Sequence, residues 1–108
     1  MTDEPVSDLT LLDVLMAAAE GLPGVEVEGE GGARRWTSGG VLFAVFEGDG
    51  AELRLDPIVA RAALRTPDTS LSTRGPEWVA FTPDVLDDGA VDRAEAWFLS
   101  AHRRALKA

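Results

Sequence analysis

Six consecutive apolar residues, Val41-Leu42-Phe43-Ala44-Val45-Phe46, limit what this chain can fold into more than any other feature. Side chains of a strand alternate between two faces, so a run apolar on both reads as a central strand with helices over at least one side. The turn Gly48-Asp49-Gly50 follows, and behind it Ala51-Glu52-Leu53-Arg54-Leu55 alternates strictly. Ala51, Leu53 and Leu55 then share a core face, and the two segments make a hairpin. Upstream, Val25-Glu26-Val27-Glu28 also alternates. After Gly29-Glu30-Gly31-Gly32 the chain returns beside it as Arg34-Arg35-Trp36-Thr37, and Ser38-Gly39-Gly40 turns it into the central strand.

Helices bracket this meander. Thr10-Leu11-Leu12-Asp13 fits a capping box, and Leu11, Leu15, Ala18 and Leu22 follow at spacings that place them on one face, with Gly21 and Pro23 ending the helix. Asp56-Pro57 is a helix start in which the carboxylate caps free N–H groups, and Thr66-Pro67 stops that helix after about Arg65. A turn-rich stretch through Gly75-Pro76 leads to a last strand at Glu77–Thr82. From Ala90 to Leu106 a final helix gathers Ala90, Val91, Ala94, Trp97, Phe98, Ala101 and Ala105 on one buried face. The fold class expected is α+β, a single compact domain over residues 10–108 behind a flexible leader of residues 1–9. Its order is helix, four-stranded antiparallel meander, helix, strand, C-terminal helix.

With 108 residues the chain supports one core, and the absence of cysteine excludes disulfides, thiolate catalysis and thiolate-held metals. No apolar run approaches the ~18 residues of a membrane span and the first residues are acidic, so a cytoplasmic location without membrane attachment is expected. The net charge is −9, and it is concentrated: residues 1–52 hold 11 acids against two bases, whereas the remainder is balanced. Such a field repels nucleic acid at long range.

The glycine clusters lack the Gly-Lys-Ser/Thr ending of a phosphate loop and read as turns. His102 and Ser100 stand about 200° apart around a helix, so they make no catalytic pair. His102 reads as a boundary residue near Glu95. Residues 84–95 partly match a 12-residue calcium loop through Asp84, Asp88, Asp92, Gly89 and Glu95, although Leu86 replaces a ligand. The competing reading makes Asp87 or Asp88 the cap of the last helix, and no metal or other cofactor is expected. Arg93, Arg103, Arg104 and Lys107 are expected to project away from the core with Ser100. Arg61 and Arg65 lie one turn apart on the second helix, and together these residues form a candidate anion-binding face. Trp36, Trp78 and Trp97 are expected to be core rings in a chain this small; Trp36, if instead exposed beside Arg34 and Arg35 on an edge hairpin, would mark a binding groove.

Several short strings, in this order, resemble the MmcQ/YjbR-like proteins over about residues 18–106. They are Leu22-Pro23-Gly24-Val25-Glu26, Phe43-Ala44, Leu53-Arg54-Leu55, Gly75-Pro76-Glu77-Trp78-Val79 and Leu99-Ser100. The resemblance implies a compact domain with an antiparallel sheet, of the kind likened to double-wing DNA-binding modules and frataxin-like proteins. The chain departs from the pattern at Gly39-Gly40, where Gly-Lys is usual, at Arg54 in place of Lys, and at Ala101 in place of an aromatic. A weaker similarity, through Arg35-Trp36 and Phe43–Pro57, is to luciferase-like domain proteins of actinobacteria. The functional expectation is a non-catalytic binding or interaction module whose partner is another protein or a second copy. The alternatives are a DNA-binding regulator using the arginine faces, as the resemblance implies, and a calcium loop at residues 84–95.

Overall fold

A computed structural model describes residues 9–107. The leader expected at the start falls almost wholly on residues 1–8, outside that range. The elements are α1 (Leu11–Glu20), β1 (Val25–Glu28), β2 (Arg34–Ser38), β3 (Val41–Glu47), β4 (Gly50–Arg54), α2 (Pro57–Ala63), β5 (Thr69–Leu71), β6 (Trp78–Phe81) and α3 (Asp88–Leu106). All strands pair antiparallel in one sheet of order β1-β2-β3-β4-β6-β5. The class is α+β.

Strand β5 is a correction to the expected five-stranded sheet. Its three residues sit between Pro67-Asp68 and a run of turn formers, too short for alternation to show in the sequence. Pairing with β6 makes it a strand, and the Thr69 hydroxyl ties it to α2 by donating to the carbonyls of Ala63 (3.0 Å) and Thr66 (2.9 Å).

The capping box of α1 is present in both halves: Asp13 N–H donates to Thr10 Oγ1 at 3.1 Å, and Thr10 N–H donates to the Asp13 carboxylate at 3.0 Å. The buried face is Leu11, Val14 and Leu15, so the stripe leans toward Val14, while Ala18 and Leu22 stay half-buried. α3 starts two residues before Ala90, because Asp87 accepts from Ala90 N–H at 2.8 Å. Four of its six buried residues are alanines, which lets the helix axis approach the sheet closely. Between them Phe98 meets Trp36 and Phe43 edge-on, each at 5.3 Å between ring centres. α2 is shorter than expected and ends at Ala63. Asp56 occupies its N-cap without a capping hydrogen bond from the side chain. The Asp56 carboxylate is instead engaged by Arg104, whose Nε lies 3.4 Å from it.

The apolar hexapeptide is the interior strand β3. Register aligns Trp36, Ala44, Leu53 and Val79 in one row and Phe46, Ala51 and Phe81 in another, all turned to the helices. Between Trp36 and Thr37 the pairing skips one residue of β3: Trp36 opposes Ala44, but Thr37 opposes Leu42. This bulge at Phe43 lets Phe43 and Ala44 both join the helix-side core. Burying a large apolar side chain such as Phe43 or Phe81 contributes about 1.5–3 kcal/mol, so this layer dominates the stability.

The other face carries Glu28, Arg35, Val45, Glu52, Ala80 and Ser70 in one row across the sheet. The β5–β6 connection folds onto it. Arg74 Nε lies 2.8 Å from the Glu52 carboxylate, the Ser72 hydroxyl donates to the same carboxylate, and the Arg74 guanidinium stands 5.7 Å from the Trp78 ring centre. Among the described residues no helix is long and apolar enough to cross a membrane.

Candidate interaction surface

At the sheet's first edge, α1 and β1 diverge around a groove of about 240 Å³. Met16, Ala19, Leu22, Val25, Val27 and Trp36 line it, and Glu20 stands at its rim. The local cause is parity: Val25 and Val27 share the helix-facing side of the sheet with Trp36, while Glu26 and Glu28 turn to the other face. β1 pairs only with β2, so its outer backbone edge is free among the described residues.

Trp36 is fully buried (0% exposed), as expected of a core ring, so it does not mark the binding groove that an exposed ring beside Arg34 and Arg35 would have marked. It points to the helices because alternation along β2 puts it level with Ala44 on the helix side, and Phe98 meets its ring edge-on. The indole N–H has no hydrogen-bond partner among the described residues. Arg34 is spent on its own turn, donating to the carbonyls of Gly31 (2.9 Å) and Ala33 (2.7 Å). Arg35 is exposed on the opposite face of the sheet.

A second cavity, of about 410 Å³, lies where α1 begins, between the β3–β4 turn and the segment before α3. Leu9, Leu12, Phe46, Pro83 and Leu86 give it apolar walls, and Asp49 and Asp84 are its charged members. Asp84 therefore stands apart from Asp88, Asp92 and Glu95, which all lie on α3. The calcium-loop alternative expects a loop over residues 84–95, whereas from Asp88 onward these residues are helical. Among the described residues no three His, Asp or Glu side chains come together as a metal site.

The arginines divide. Arg61 and Arg65 on and after α2 are exposed, as is Arg103. Arg93 and Arg104 are not on the solvent side of α3, contrary to expectation. The Arg93 guanidinium lies 5.7 Å from the Phe81 ring centre, and the Arg104 side chain is only 17% exposed. Arg104 binds Glu77 and approaches Asp56, and Arg54 Nε reaches Glu77 at 3.5 Å. Lys107, Arg54, Asp56 and Arg104 border a cleft of about 340 Å³ there. The reason is spacing: Arg93, Trp97 and Arg104 stand four and seven residues apart, one flank of a helix that leans over β6. Trp97 meets Phe81 edge-on at 5.1 Å on that same flank. The sequence holds this signal, since Trp97 belongs to the apolar stripe of the same helix.

His102 sits in the core rather than at its boundary, 5% exposed, 5.6 Å from the Phe43 ring centre, with Nε2 unpartnered among the described residues. No hydrogen bond joins it to Glu95 or Ser100 among the described residues. The comparisons with protein-family models, with curated proteins and with solved structures give no match to this chain.

Proposed function

We propose that the chain is a non-catalytic interaction module that binds another protein or a second copy of itself. The observation that supports this reading most is the free edge of β1 beside an apolar groove, on a sheet whose helices cover one face. Exposed strand edges are templates for pairing, and an apolar groove adjoining one supplies side-chain pockets for whatever pairs. The strings that carry the MmcQ/YjbR-like resemblance lie at the α1–β1 turn, in β3 and β4, at β6 and in α3. That family assignment is part of the proposal.

The nucleic-acid reading has less behind it. Of the arginines that would contact phosphate, Arg93 covers Phe81 and Arg104 is held by two carboxylates. Native mass spectrometry with cross-linking tests the interaction reading on chain purified from its own host. The expected result is a dimer or mixed complex with cross-links at β1, β5 or the two apolar cavities. A bare monomer at micromolar concentration, with no retained chain, overturns it.

A further inference from the structure

We infer that the partner is an extended segment in which apolar side chains alternate with Lys or Arg, added as a strand to the outer edge of β1. This rests on the interaction reading above and names the chemistry of its partner. Three observations converge on it.

Geometry comes first. A strand placed beside β1 alternates its side chains in step with β1. Those level with Val25 and Val27 enter the groove beneath α1, against Met16, Ala19 and Leu22. Val27 is 44% exposed, although it stands in register with the fully buried Trp36. A covering strand would remove that apolar surface from water. The Trp36 ring lies against the groove's wall, and its buried indole N–H, without an acceptor among the described residues, is a reporter of anything that seats there.

Charge selects the kind of strand. Glu26 and Glu28 project from β1 on the face opposite the groove, Glu20 stands at the groove's rim, and Glu30 follows in the turn; all four are exposed. Arg35 is the cross-strand neighbour of Glu28, yet no ion pair within 4.0 Å joins them among the described residues. Cross-strand pairs of opposite charge stabilise a sheet, and like charges facing each other destabilise it. A basic residue level with Glu26 and another level with Glu28 therefore complete the edge.

The same rule excludes the other occupant. If two copies pair β1 with β1 antiparallel, with Val27 facing Val27, then each Glu26 faces a Glu28. Sliding the register by one residue swaps the faces and sets valines against glutamates. This edge accordingly rejects its own copy and accepts a complementary one.

The test uses the full chain labelled with ¹⁵N and a capped eight-residue peptide of alternating Lys and Val. A peptide of alternating Glu and Val is the counterpart. The Lys-Val peptide is expected to shift the amides of residues 25–28 and the Trp36 indole N–H saturably, and to bind at least roughly tenfold more tightly than the Glu-Val peptide. The double variant Glu26→Lys/Glu28→Lys, altered only at exposed positions, is expected to reverse that preference. The inference is overturned if β1 and Trp36 do not shift at millimolar Lys-Val peptide, or if the double variant keeps the original preference. If the peptide leaves β1 unmoved while native mass spectrometry finds a complex cross-linked elsewhere, the edge proposal falls and the interaction reading stands. If both experiments are empty, both fall.

Discussion

Burial raises the proton affinity of the Glu52 carboxyl, whereas the Ser72 hydroxyl and the Arg74 guanidinium lower it, and the lowering prevails. A carboxyl whose folded pKa lies below its unfolded value adds stability above the ordinary glutamate range, and loses it as pH falls through the folded value. The wild-type urea midpoint is therefore expected to drop as pH falls from about 6 to about 3, with Glu52→Gln removing part of that slope while other carboxylates keep theirs. A parallel displacement of the two curves would count against the assignment. This effect was invisible in the sequence. Glu52 read simply as the solvent side of an alternating strand, and its partners come from 20 and 22 residues away. Trp36 is legible as a core ring from its size, but the partner that packs it, Phe98, comes from the far end of the chain.

At the scale of elements, the strands and helices that carry their own signals were legible. Thr10 and Asp13 mark the start of α1, Asp87 that of α3, and Val41–Phe46 the interior strand. What local pattern cannot carry is pairing: β5 exists because β6 offers it an edge, and Asp56 leaves its capping role because Arg104 is near. The β1–β2 hairpin turns on Gly29, at φ 123°, where an added Cβ would meet the Ala33 carbonyl oxygen at 2.4 Å. Backbone with that φ is costly for any L side chain, and here there is also no room. Gly29→Ala is expected to cost about 1–3 kcal/mol in denaturant unfolding. It should also speed hydrogen exchange at residues 25–28 ahead of β3. Exchange unchanged relative to β3 would show that the hairpin bends elsewhere.

The whole molecule sets an acidic first half against a second half whose cations are partly consumed by its own structure. Gel shifts at ~50 mM salt, where phosphate-driven binding is strongest, are expected to show no retardation of single- or double-stranded probes. A shift that weakens steeply with salt would revive the DNA reading through Arg61, Arg65 and Arg103. The class and the placement of the helices were readable at this scale because apolar stripes are long-range information written locally. The interaction surface was not, since the groove arises from the divergence of α1 and β1, which no stretch of sequence specifies alone. The surplus residue at Phe43 bears on how relatives of this chain are to be aligned. A homologue shorter by one position there would keep every neighbouring side chain on its present side, whereas a single insertion or loss inside β2, β4 or β6 would invert all that follows in that strand. A one-residue gap at this point preserves the facing of the strand while removing one core ring, and is to be scored as a change of packing rather than of register.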